Sequence, residues 1–356
     1  MQNVVAFITT TLFSYLFTVP TIYFAKKFRL VTDKKIRIHP AHTHTGLIPR
    51  GGGIPLFLGV FLTSLFFINF DKTLIAIFGA GTLALIVGVL DDKYDISPYI
   101  RFLLNILCAI IVVSVGVNIS FITNPLGGIL FLDKLSFPIN FLGFGILITA
   151  ADTIAVIWIV WVMNMLNWSK GVDGQMPGVV AISGIIIGLL SLRFEALDAQ
   201  TLLAANLSFI IAGSALGFLI YNFHPAKIFP GYGATSIYLL LAVVSILSSA
   251  KLATAILVMG VPLADGVFTI IRRVATGHSP FRHDKKHFHH LLLEMGFGQR
   301  RIALFYWIIS AILGSLALIL TSRGKLFAII MVVILVGGAL FFLNLMLRGR
   351  NDKNSI

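Results

Sequence analysis

Eleven stretches of continuous apolar sequence, each near the length needed to cross a bilayer, constrain this chain more than any other feature. A spanning helix needs about 20 mainly apolar residues, because every backbone N–H and C=O in the hydrocarbon must be satisfied within the segment. The stretches lie at about 3–25, 51–70, 73–90, 99–118, 145–165, 177–192, 200–221, 234–249, 252–271, 303–321 and 326–347, the third, sixth and eighth being short. A β-barrel is excluded, since the runs are continuous and do not alternate in segments of about ten residues. The first run is too long, and lacks the small-residue cleavage pattern, for a removable signal peptide. Composition agrees: 58% of residues are apolar and 12% charged, far from the balance of a soluble or disordered chain. The lone Cys108 cannot form an intrachain disulfide. The expected class is an all-α integral membrane protein, one polytopic domain over residues 1–356 with no internal repeat of the kind many transporters carry.

The net charge of +13 would point to nucleic acid in a soluble chain. In a membrane protein it reports loops held on the cytoplasmic side, so no nucleic-acid partner is expected. Eleven spans put the termini on opposite sides. With the N-terminus outside, 21 of the 27 Lys and Arg residues face the cytoplasm, leaving Lys72, Lys134, Arg193, Lys251, Arg323 and Lys325 outside. All nine histidines then share the cytoplasmic face (His39, His42, His44, His224, His278, His283, His287, His289 and His290), as do Asp91, Asp92 and Asp173. The expectation is a multi-pass protein of the plasma (inner) membrane, N-terminus out, C-terminus cytoplasmic, with its chemistry inside. The stretch 119–144, with its Asn124-Pro125-Leu126-Gly127-Gly128 turn signal, is expected as a hairpin or amphipathic segment on the outer surface.

Five cytoplasmic loops carry the candidate chemistry. The first holds Asp33, Lys34, Lys35, Arg37 and His39, then Arg50-Gly51-Gly52-Gly53; the basic residues serve equally as topology anchors, while glycines allow the close backbone approach of a phosphate-cradling turn. Asp91–Asp92 follows the third span, expected exposed at a helix end, either as ligands for a hard cation such as Mg²⁺ or as a solvated acidic loop. Asn164 and Asn167 share a helix face at i, i+3, ahead of Lys170 and an Asp173–Gly174 turn. Tyr221 to Ser236 makes a Pro/Gly-shaped loop into the eighth span. The last loop carries Arg272–Arg273, Ser279-Pro280-Phe281-Arg282-His283-Asp284 and His287-Phe288-His289-His290. That density of Arg and His suits phosphate oxygens; a zinc site needs four ligands with an acid or Cys partner and is the weaker reading.

Together the loops resemble the polyprenyl-phosphate N-acetylhexosamine-1-phosphate transferases (glycosyltransferase family 4), from about Asp33 to Arg301. Asp91 and Asp92 match the family's first acidic motif, Asn164, Asn167 and Asp173 its Asn-x-x-Asn-x-x-Asp-Gly-x-Asp-Gly motif, and His287 to His290 its His-x-His-His signature. That last pattern is closer to the undecaprenyl-phosphate GlcNAc-1-phosphate enzymes than to the MurNAc-pentapeptide branch, which is kept as the alternative beside a binding paralogue without turnover; a transporter is a distant third. The resemblance implies transfer of a sugar-1-phosphate from a UDP-N-acetylhexosamine to polyprenyl phosphate, releasing UMP, with Mg²⁺ as cofactor and room for a homodimer. It implies catalytic roles for Asp91, Asp92 and Asp173, with Asp92 and Asp173 on the metal. Substrate contacts would come from Arg50, Asn164, Asn167, Lys170, Arg272, Arg273, His287, His289 and His290. Two positions depart from the pattern. Lys170 stands at the first Asp of Asp-Gly-x-Asp-Gly, and Tyr232 stands where the family has a metal-ligating Asp. Two anionic positions are lost and one becomes cationic.

Overall fold

The computed structural model describes residues 1–32, 48–124, 127–141, 144–193, 198–247, 252–282 and 284–353. Lys34, Lys35, Arg37, His39, His42, His44, Pro125, Leu126, Lys251 and His283 lie outside these residues. The apolar runs are helical: α1 (Gln2–Lys27), α2 (Gly53–Phe67), α3 (Lys72–Tyr94), α4 (Pro98–Val113), α5 (Ala150–Trp168), α6 (Gln175–Ser191), α7 (Ala199–Asn222), α8 (Thr235–Ile246), α9 (Leu252–Val258), α10 (Gly260–Ala275), α11 (Phe288–Glu294), α12 (Gln299–Ile319) and α13 (Ser322–Lys353). Among the described residues, six helices (α1, α3, α5, α7, α12 and α13) are long and apolar enough to cross a membrane, and the bent pair α9–α10 makes a seventh if counted as one span. Shorter apolar helices lie at α2, α4, α6 and α8. The chain is an all-α, multi-pass membrane protein.

The burial pattern shows which solvent shaped it. Helix α1 buries Ala6, Thr10, Ser14, Thr18, Thr21 and Ala25 and turns Val, Ile, Leu and Phe outward. That inverts a soluble helix, and it follows because lipid accepts large apolar side chains while small residues let helix backbones approach. The buried threonine hydroxyls are satisfied within the helix: Thr10 and Thr18 donate to the Ala6 and Ser14 carbonyls at 2.9 and 2.7 Å, and Thr21 to the Phe17 carbonyl at 2.8 Å. Helix α8 is buried along its whole length, which suits a segment apolar on every side.

Two expectations are corrected. The fifth apolar run does not start its helix at 145: β3 (Phe121–Thr123) pairs with β4 (Ile129–Phe131), and β5 (Ser136–Phe141) with β6 (Phe144–Thr149), both antiparallel. A capping box sets the true start, with the Asp152 amide donating to Thr149 Oγ1 and the Thr149 amide to Asp152 Oδ2, each at 3.1 Å. The hairpin expected within 119–144 is therefore two hairpins reaching to 149. Nor is 252–271 one straight helix. It breaks between α9 and α10 with a bend of 83°, where Pro262 in the first turn of α10 lacks a backbone donor.

Loops from distant parts of the chain are locked to one another at the ends of α2, α3 and α7. Strand β1 (Val31–Thr32) pairs with β2 (Ile48–Pro49). Beyond it, the Phe229 amide donates to the Pro49 carbonyl at 2.8 Å, and the Gly52 and Gly53 amides donate to Phe229 and Pro230 at 3.0 and 2.9 Å. Side chains are excluded where three backbones meet: a Cβ on Gly53 or on Gly88 would overlap the backbone of Gly233.

Candidate active site

The last turn of α3 carries Asp91 and Asp92, expected to be exposed and instead 4% and 3% accessible. A carboxylate at a helix C-terminus faces the negative end of the dipole and, when buried, needs partners. Asp91 Oδ2 accepts from Arg101 Nη1 at 3.0 Å. Arg101 sits in the first turn of α4, where a cation is equally ill placed, so each charge settles the other. Both Asp92 oxygens accept from the Tyr232 amide, at 3.0 and 3.2 Å, and Arg50 Nη1 lies 4.0 Å from Oδ1. The amide can point there because Gly231 takes φ +65°, and any Cβ at that position would overlap the Asp92 carboxylate.

Lys170 and Tyr232 complete this cluster. The part-buried Lys170 ammonium donates to the Gly231 carbonyl. Burial pushes its pKa down to about 8, with Asp92 and Asp91 opposing the fall and Arg50 and Arg101 adding to it. The Tyr232 ring carries the Arg101 guanidinium 4.7 Å from its centroid and the Lys170 ammonium 5.7 Å away. Its hydroxyl accepts from Asn105 Nδ2 at 3.1 Å.

Asp173, grouped with Asp92 by the sequence pattern, bonds elsewhere. Its Oδ2 takes His224 Nδ1 at 2.8 Å and the Ala226 amide at 3.0 Å, tying the loop after α5 to the loop after α7. The Asp173 amide donates to Gln299 Oε1 and the Gly174 amide to Asn222 Oδ1, at 3.1 and 3.0 Å. Asn164 donates to the Val160 carbonyl within its own helix. Asn167 differs: its Oδ1 is buried and has no hydrogen-bond partner among the described residues, an acceptor open to a substrate donor.

The histidine loop is built on Asp265, an acid inside the apolar run of α10. Fully buried, Asp265 pairs Oδ2 with His287 Nδ1 at 2.9 Å and accepts the Phe288 amide on Oδ1 at 3.1 Å. The His287 and His289 rings stack at 5.7 Å with planes 7° apart, and His290 lies 4.2 Å from His289. His289 packs against Gly171, where a Cβ would overlap its ring, and neither ring nitrogen has a partner among the described residues. Burial, then the neighbouring histidines, hold the His289 pKa well below the ordinary imidazole value and bring His290 to about 4. These two rings are neutral at pH 7, so they offer neutral hydrogen bonds where charge-assisted ones were expected. Arg272 and Arg273 are likewise engaged: both bond Asp284 Oδ2, at 3.1 and 3.0 Å, and Arg273 also reaches the Pro280 carbonyl and stands 5.0 Å over the Trp168 ring. Burial alone would raise the Asp284 carboxyl; the Lys286 amide and the two arginines outweigh it and hold the pKa at about 2.

Mg²⁺ is a poor fit to these residues. Asp91 is held by Arg101, Asp92 by the Tyr232 amide beside Arg50, and Asp173 by His224 and Ala226. Among the described residues no group of three or more His, Cys, Asp or Glu side chains is arranged to hold a metal ion.

The sequence profile of glycosyl transferase family 4 matches residues 74–249. The chain is 32% identical over 301 residues to a probable undecaprenyl-phosphate N-acetylglucosaminyl 1-phosphate transferase of Bacillus subtilis, covering 82% of this chain and 79% of that one. The chain belongs to glycosyl transferase family 4. Similarity within the family extends to a decaprenyl-phosphate N-acetylglucosaminephosphotransferase of Mycobacterium tuberculosis, 29% identical over 96% of this chain and 89% of the relative. An undecaprenyl-phosphate alpha-N-acetylglucosaminyl 1-phosphate transferase of Escherichia coli is 28% identical, over 89% and 85%. The family 4 match takes in α3 to α8, and with them Asp91, Asp92, Lys170, Asp173 and Tyr232; the histidine loop lies beyond it.

Proposed function

We propose that this family 4 chain transfers N-acetylhexosamine-1-phosphate, GlcNAc-like, from a UDP-sugar to a polyprenyl phosphate in the bilayer, releasing UMP. The observation that carries the reading is the buried Asp91–Asp92 pair ringed by Arg50, Arg101 and Lys170 at the end of a spanning helix. Such a place meets a lipid phosphate from the membrane and a nucleotide diphosphate from water. Transfer between two anions at phosphorus asks for charge neutralisation and alignment more than covalent participation. In this reading Asp91 and Arg101 position the lipid phosphate, Arg50 and Lys170 face the diphosphate, and Asn167 Oδ1 accepts from the nucleotide. His287, His289 and His290 shape the nucleotide-sugar side, with Asp265 holding the His287 ring.

The topology belongs to the same proposal: one domain of eleven membrane-crossing or membrane-embedded segments, N-terminus outside, site on the cytoplasmic face of the plasma membrane. The distribution of Lys and Arg supports it. Purified protein offered undecaprenyl phosphate and a panel of UDP-sugars should release UMP with UDP-GlcNAc or a close relative and form a lipid-linked sugar. Tyr232 and Lys170 favour a second reading, a paralogue that binds without turnover. Nucleotide-sugar binding without UMP release across the panel would select it.

A further inference from the structure

We propose that the substrate phosphates are held and neutralised in this site by Lys170, Arg50 and Arg101, with no divalent ion taking part. The inference rests on the function proposed above and adds the means by which charge is balanced. Every carboxylate within reach is already bonded: Asp91 to Arg101 at 3.0 Å, Asp92 to the Tyr232 amide at 3.0 Å with Arg50 4.0 Å away. One buried oxygen, Asp91 Oδ1, has no partner among the described residues; at every other oxygen of the pair a divalent ion would have to displace a cation or a backbone N–H, and it would sit among three positive side chains. A metal site concentrates negative charge, whereas two carboxylates faced by three cations leave a surplus suited to an anion.

Tyr232 supplies the geometry. A carboxylate there would add a third negative group; the phenol adds none, is fixed by Asn105 at 3.1 Å, and presents a ring to both Arg101 and Lys170 at 4.7 and 5.7 Å. Lys170 is anchored through the Gly231 carbonyl, the residue whose conformation aims the Tyr232 amide at Asp92. A lysine ammonium is a compact, strongly interacting phosphate partner. In the transfer step an oxygen of the lipid phosphate bonds to the phosphorus bearing the sugar. The bond from that phosphorus to the bridging oxygen breaks, and UMP leaves with its electron pair. Two dianions enter and two leave, so no proton has to move, and the peak of negative charge lies between the two phosphates that the cations face.

The test uses full-length protein in detergent, stripped with EDTA. Mn²⁺ binding is read by electron paramagnetic resonance, UDP-GlcNAc binding by calorimetry, and turnover by UMP release with undecaprenyl phosphate. The wild type should bind no Mn²⁺ below about millimolar concentration, and its UDP-GlcNAc affinity should change less than about twofold between EDTA and Mg²⁺. Lys170→Ala should weaken UDP-GlcNAc binding in EDTA by about tenfold or more, and Lys170→Arg should restore most of it. Lys170→Asp/Tyr232→Asp should acquire a Mn²⁺ site; should that variant fail to fold, the wild-type and Lys170→Ala measurements decide alone. One Mn²⁺ bound tightly by the wild type, a drop in UDP-GlcNAc affinity of about tenfold in EDTA, or an inert Lys170→Ala would overturn the proposal. Absence of UMP release in every condition would remove the function reading, while the two binding measurements would still decide the question of the metal.

Discussion

At Gly231 the backbone occupies φ +65° and the space of a side chain is filled by Asp92. Gly231→Ala should therefore lose both fold stability, by about 1–3 kcal/mol, and transfer, since the Tyr232 amide and the Lys170 anchor move together. Gly79→Ala, where a Cβ meets nothing within 4 Å, is the control and should melt as the wild type in a detergent thermal-shift assay. Asp91→Asn is expected to cut transfer by about 100-fold or more. Because Asp91 is buried against Arg101, it should also cost about 1–3 kcal/mol of stability. The double variant Asp91→Asn/Arg101→Met separates the two effects. Its melting temperature should recover while UMP release stays lost, and recovery of both would leave the Asp91–Arg101 pair with a structural role only. Asp91, Asp92 and Lys170 were legible in the sequence because acids and bases at the ends of apolar runs stand out. Arg101, Asn105 and Asp265 were not, since each looks like a topology anchor or an isolated polar residue until its partner arrives. Asn105 meets Tyr232 across 127 positions of sequence, a relation that no local pattern encodes.

At the scale of elements, the apolar runs located the helices well, because lipid demands length and continuity. Boundaries failed where another rule competed. Residues 145–149 are apolar and β-branched enough to pass for a helix start, yet they pair with β5, and the Thr149–Asp152 box marks the real beginning. At 252–271 continuity hid a break that Pro262 makes possible. The histidine loop has a pH consequence. His290, with a folded-state pKa of about 4 against an ordinary 6.5, binds its proton more readily once unfolded. Its contribution to stability is complete above pH 6.5 and declines as pH falls from 6.5 toward 4. Melting temperatures measured at pH 7.5, 6 and 5 should drop in that order, and His290→Gln should flatten part of the slope. An unchanged slope would mean that His290 keeps its ordinary pKa in the fold.

For the whole molecule, the orientation proposed from the Lys and Arg distribution can be read directly. Cys108 is buried, so in a Cys108→Ser background an exposed cysteine can be placed at will. Lys134→Cys should react with a membrane-impermeant maleimide on intact cells, and Lys27→Cys only after the membrane is opened; the reverse pattern would invert the topology. The meeting of Gly53, Gly88 and Gly233, where three backbones touch with no side chain between them, has a consequence for how such a molecule can change over generations. A joint made of main chain holds its angles whatever stands beside it, so positions 170 and 232 can be re-equipped like heads on one handle. A lysine and a tyrosine can sit where the family pattern has acids without re-aiming α2, α3 or the loop ahead of α8. Inheritance of shape is thereby uncoupled from inheritance of charge.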